Sequence, residues 1–119
     1  MIETNENEET MIMNVNSCKI NILNHEFIVH RSGKIMRKMK SGKWKEIKNS
    51  PNHKQGYNVL MINKKQFTRS QIIAHTYLKY DINDKDYLKN KMIIYKDKNK
   101  LNNNASNLLI SNKNHYLCA

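Results

Sequence analysis

The chain is patterned in short apolar runs rather than long stripes. From Lys19 to Asn49, KINILNHEFIVHRSGKIMRKMKSGKWKEIKN alternates apolar and polar positions at the period of half-buried strands. Ser32-Gly33 and Ser41-Gly42 punctuate it as turn dipeptides. The pattern sends Phe27, Val29, Ile35 and Trp44 towards a core, and Trp44 reads as core rather than as a stacking platform. After Pro51-Asn52, GYNVLMINKKQFTR alternates again, with Tyr57, Val59 and Met61 on one face and Asn58, Leu60 and Ile62 on the other. Asn63-Lys64-Lys65 reads as a hairpin connection.

A helix is predicted over about 68–79. Thr68-Arg69-Ser70-Gln71 is a capping box, and Ile72, Ile73, Tyr77 and Tyr80 follow at helical spacing. Gln71, His75 and Lys79 fall on the other face. His75 could be a ligand or a base, but no acid or second histidine lies at i±3 or i±4, so it reads as a solvated helix residue. DINDKDYLKNK reads as a loop, MIIY (92–95) as a strand, KDKNKLNNNASN as a polar turn and LLI (108–110) as a return strand. Ser111 could cap a last helical turn through His115. The expected class is α+β: a small β module over about 19–67, one amphipathic helix, and a terminal ββα unit over about 91–117.

Charge adds to this picture. The 119 residues carry 21 Lys+Arg against 10 acids, a net +11. Four of the acids (Glu3, Glu6, Glu8 and Glu9) lie in the first nine residues, so residues 11–119 carry +15. Such a body points to a polyanion partner, DNA or RNA, against the plainer reading of a lysine surface kept for solubility. The abundance of Asn, Ile and Lys also fits an AT-rich genome, such as that of a large DNA virus, an intracellular parasite or an organelle, and composition does not choose among them. Residues 1–16 read as a disordered acidic tail, and residues 17–119 as the folded domain. Mean hydropathy is −0.81, and no apolar run reaches the ~18 residues of a membrane span. Cys18 and Cys118 make neither a disulfide framework nor a zinc site. The expected setting is intracellular, not secreted, and in no membrane.

The order of these segments resembles phage and giant-virus HNH homing endonucleases. GYNVLMINKKQFTRSQIIAHTYL is similar to their "GY-x-V-x-L … K … HRL-V-A-x-A-F" stretch. IIYKDKNKLNNNASNLLISNKNH is similar to "V-N-H-x-D-G-N-x-x-N-N-x-x-x-N-L", and FIVHRSGKIMRK to the opening of their small β modules. The resemblance covers about residues 25–117. It implies that Tyr95 stands where the family has its general-base histidine and Ile94 where it has a metal ligand. It also implies that Asp97 and Asn107 are the remaining metal-site positions, that His115 could complete the site, that Lys98 replaces a glycine, and that Ser70-Gln71 replace His-Arg.

The chemistry of these departures sets the functional expectation. An ordinary tyrosine titrates near ~10, too high for a base at neutral pH, and isoleucine offers a metal no lone pair. The chain is therefore expected to bind nucleic acid, DNA before RNA, through a degenerate HNH motif that no longer cuts. No cofactor is expected, with Mg²⁺ or Mn²⁺ required if cleavage survives. Phosphate contacts are assigned to Lys34, Arg37, Lys38, Lys40, Lys43, Lys45, Lys64, Lys65 and Arg69, with Lys96, Lys98 and Lys100 adding to them. Two alternatives are an active metal-dependent endonuclease with a rearranged site, and a structural component that packs nucleic acid or protein partners in a virion or ribonucleoprotein.

Overall fold

The computed structural model describes residues 16–113. The acidic segment 1–15, His115 and any closing helix after Lys113 lie outside the described residues.

Strands β1 (Ser17–Ile22), β2 (His25–His30), β3 (Ile35–Lys38) and β4 (Trp44–Ile47) form an antiparallel meander in that order. β5 (Val59–Ile62) and β6 (Lys65–Thr68) make a hairpin, and helix α1 (Arg69–Tyr77) follows directly. A short α2 (Lys85–Asn90) leads into β7 (Lys91–Tyr95), which pairs antiparallel with β8 (Leu108–Asn112). The class is α+β, as the pattern implied.

Local chemistry explains the hairpins. Leu23-Asn24 and Asn63-Lys64 both take left-handed φ at two successive residues (49° and 69°, 50° and 66°), which matches the twist of the strands they join. The two turns also hold each other. Asn63 Nδ2 donates to the Leu23 carbonyl at 2.9 Å, and Asn63 Oδ1 lies 2.8 Å from His25 Nε2. Along β5, Asn52 imitates a neighbouring strand: its Nδ2 donates to the Val59 carbonyl, and its Oδ1 accepts from the Val59 amide at 2.7 Å. Arg37 Nη1 donates to the Met61 carbonyl at 3.1 Å. This edge is thus closed to pairing with another chain.

Ile22, Phe27, Val29 and Ile35 meet Leu60, Ile62 and Phe67 of the hairpin and Ile72 and Ile73 of α1 in one core, which Ala105 and Leu108 join. Each of these side chains except that of Ala105 contributes about 1.5–3 kcal/mol of burial. Of the two faces left open on β5, Leu60 and Ile62 point in and Met61 points out. Gly33 has φ +106°, and a Cβ there would stand 3.0 Å from the Asn103 backbone. That close approach ties the β2–β3 turn to the loop after β7.

Four expectations need correction. Trp44 is half-buried and outside the core, because its pairing with Lys38 places it on the sheet face opposite Ile35. Residues 85–90, expected as loop, are helical: Asp84 caps them by accepting from the amides of Asp86 and Tyr87. Ser111 is not a helix cap but lies in β8 opposite Met92. His75 is half-buried, with Nδ1 3.0 Å from the Tyr80 carbonyl oxygen, where it fastens the exit of α1.

Candidate functional site

The β7–β8 unit and the loop between its strands carry the positions singled out by the motif. Tyr95 ends β7 with its ring packed on the core. Its hydroxyl donates to Ser70 Oγ at 2.6 Å, and Ser70 Oγ lies 3.0 Å from Thr68 Oγ1 at the cap of α1. Burial pushes the Tyr95 phenol above its usual value, partly offset by the Ser70 bond. The hydroxyl is therefore a proton donor held to a neighbour, the opposite of a poised base. Ser70 is buried and supplies the acceptor.

Past β7, the loop is sewn to itself. Asp97 Oδ1 accepts from the Asn99 amide at 2.8 Å and from Asn107 Nδ2 at 2.9 Å, while its Oδ2 accepts from Asn102 Nδ2 at 2.7 Å. Asn107 Oδ1 accepts from the Asp97 amide at 3.1 Å, and its Nδ2 also donates to the Asn102 carbonyl. The Asn102 amide, foremost among these donors, holds the Asp97 carboxyl below its ordinary value. Asn99, Asn102 and Asn104 each accept a backbone amide two residues on, the local turn chemistry typical of asparagine. Lys98 stands in the left-handed region at φ 64°, where a glycine would sit without strain.

These residues do not fit a divalent metal. Ile94 has no donor atom, and the oxygens of Asp97 and Asn107 are turned towards each other's amides. No group of three His, Cys, Asp or Glu side chains gathers among the described residues. His115 lies outside them.

The basic positions divide into spent and available cations. Arg69, assigned from the sequence to the phosphate-contacting surface, is 1% exposed and belongs to the core instead. Its Nε donates to Asn58 Oδ1 at 2.8 Å, Nη1 to the Gly33 carbonyl at 2.7 Å and Nη2 to the Ile47 carbonyl at 2.5 Å. Burial lowers its pKa to about 10, still fully charged at neutral pH. Arg37 is half-buried, bonded to Met61 and 3.2 Å from His25 Nδ1. Lys38 pairs with Glu26 at 3.3 Å, Lys34 approaches Glu46 at 3.9 Å, and Lys100 donates to the Gln55 carbonyl at 2.8 Å beside the Tyr57 ring. Lys40, Lys43, Lys45, Lys64, Lys65, Lys96 and Lys98 are exposed, and no side-chain partner holds them among the described residues. They lie on the β3–β4 hairpin, the β5–β6 hairpin and the loop after β7.

The sequence reading missed the hydroxyl-rich cleft beside Tyr95, lined by Thr68, Ser70 and Tyr80 with Lys91 and Lys113. In the sequence Thr68 marks a helix start, Ser70 a helix start and a motif position, and Tyr80 a helical spacing, while nothing marks Lys91.

No family model matches the chain, and no curated protein matches it. Among solved structures, it is similar to one concerned with DNA binding and cleavage by the HNH homing endonuclease I-HmuI, with a TM-score of 0.56 and 23% identity. The likeness covers 84% of this chain and 55% of the other, so the chain spans little more than half the length of its structural neighbour. What the two share at this identity is an HNH-like fold.

Proposed function

We propose that this chain binds nucleic acid, DNA in the first place, through an HNH-like domain that does not cut. The observation that carries the reading is a strongly basic body joined to a nuclease-like loop whose polar groups are spent on one another. Seven exposed lysines without partners are available for phosphate, where they would act by counterion release rather than base readout. Hydrolysis of a phosphodiester at neutral pH needs a base near its working pKa and a group to stabilise the departing charge. Tyr95 is held as a donor with a raised pKa, and Ile94 and the Asp97–Asn107 pair supply no free ligand set. The fold shared with an HNH homing endonuclease supports DNA as the partner.

One titration tests both halves. Labelled duplex DNA, single-stranded DNA and RNA are titrated with the protein, with and without Mg²⁺ or Mn²⁺, and the products are run on a denaturing gel. Salt-sensitive binding with intact strands is expected. Metal-dependent nicking by the unmodified protein, lost on Asn107→Ala, would move the active-endonuclease reading to first place.

A further inference from the structure

Beside Tyr95, a cleft of about 300 Å³ opens between the start of α1, β7 and α2. Its polar groups can be counted proton by proton. Tyr95 gives its proton to Ser70 Oγ. Thr68 Oγ1 accepts the Gln71 amide at 3.1 Å and shares one hydrogen bond with Ser70 Oγ. Two protons, from Ser70 and Thr68, therefore face one mutual bond, so one of the two has no acceptor whichever way the pair is oriented. Tyr80 repeats the situation: it is 3% exposed, its oxygen accepts from Gln71 Nε2 at 3.4 Å, and its own proton has no acceptor among the described residues. Burial raises the Tyr80 phenol, with the Gln71 bond opposing, so that proton stays in place at neutral pH. Lys91 and Lys113 line the same cleft, and among the described residues no carboxylate does; Lys91 Nζ donates to the neutral Asn112 Oδ1, which leaves its charge unbalanced.

Two spare hydroxyl protons and two cations with no counter-charge describe an acceptor-only, doubly charged ligand. We propose that this cleft binds the phosphate monoester of a nucleotide, free or at the end of a strand, an inference that rests on the nucleic-acid reading above. A monoester carries about −1.5 to −2 charge at neutral pH, which matches two lysines, whereas an internal phosphodiester carries one. The Tyr57 ring also lines the cleft, 6.1 Å from that of Tyr95, and offers an aromatic surface beside the phosphate for the base.

The experiment uses the full chain and one short duplex prepared with 5′-phosphate, 3′-phosphate or hydroxyl ends, read by fluorescence anisotropy, with dTMP and thymidine as competitors. At least fivefold tighter binding of a phosphorylated end is expected. Tyr80→Phe and Lys91→Met should each remove that preference and leave the hydroxyl-ended duplex within about twofold. Lys91 is half-exposed, so its variant keeps the test open if Tyr80→Phe fails to fold. Competition by dTMP but not thymidine identifies the free nucleotide as a ligand, and end preference without competition identifies the strand end. Equal affinity for all ends with no effect of dTMP overturns the proposal, as does a preference that survives both variants. A chain that holds dTMP but no duplex keeps the cleft and removes the nucleic-acid reading, so the two failures are distinct.

Discussion

Lys98 bears the strain of the loop after β7. At φ 64° it occupies a conformation that costs an L-residue with a Cβ roughly 1–2 kcal/mol, offset in part when glycine is introduced because glycine frees the unfolded chain. Lys98→Gly should therefore stabilise the protein, by about 0.5–1 kcal/mol in urea unfolding, while removing one cation from the surface. A destabilised variant would mean that the lysine side chain holds the loop. Asp97 gives the same loop a pH dependence. Its folded pKa lies below the ordinary 3.8, so its contribution is fully present above that value and is lost as pH falls through the lower, folded one. Unfolding of the wild-type chain and of Asp97→Asn, compared from about pH 6 down to pH 2, should converge at the acid end. A gap that stays constant with pH would remove the carboxylate from the account. None of these oxygen partners could be read from the sequence, since Asp97 and Asn107 meet only after ten residues of chain have turned back. The asparagines did declare themselves as turn formers, which is their observed work.

Arg69 joins three parts of the fold, bonding Asn58 before β5, Gly33 between β2 and β3, and Ile47 at the end of β4. A guanidinium can serve three acceptors in one plane, whereas an ammonium cannot reproduce that fork. Arg69→Lys should cost about 2–4 kcal/mol in stability, read as a lowered urea midpoint with unchanged slope. Its duplex affinity, measured where the variant is still folded, should stay close to wild type. A variant of normal stability that loses DNA would return Arg69 to the surface. What was legible at this scale was local: strand alternation, the Asn63-Lys64 turn, and the Thr68–Gln71 capping box, which forms reciprocally as its residues imply. What was not legible depended on distant partners. A capping-box arginine reads as exposed until three carbonyls are known to surround it. The six residues of α2 carry no apolar stripe to announce a helix, and Trp44 left the core because only the β3–β4 register decides its face.

At the scale of the whole molecule, affinity for a polyanion depends on how many of the +15 charges over residues 11–119 can meet phosphate. Lys34, Arg37, Lys38, Arg69 and Lys100 are engaged within the fold, and so is Lys19 with Glu26; the seven free lysines of the two hairpins and the loop after β7 remain, and Lys48, Lys54, Lys79, Lys85 and Lys89 are exposed besides. If about 5–8 cations meet duplex phosphates, log affinity should fall against log salt with a slope of roughly −4 to −7. Replacing Lys40, Lys43 and Lys45 together by alanine should reduce that slope by about 2–3 and leave the melting temperature unchanged, since these side chains are exposed and make no hydrogen bond or ion pair among the described residues. A flat salt response would remove the polyanion argument altogether. Glu3, Glu6, Glu8 and Glu9 share the chain with these lysines, so an acidic N-terminal segment able to reach them would compete with phosphate at high effective concentration. Deleting residues 1–10 should tighten duplex binding a few-fold at about 50 mM salt, with the gain vanishing towards about 300 mM as screening shortens the reach of the glutamates. An affinity unchanged at the lower concentration would show that the tail does not compete with DNA, and the +15 of the body would then act alone.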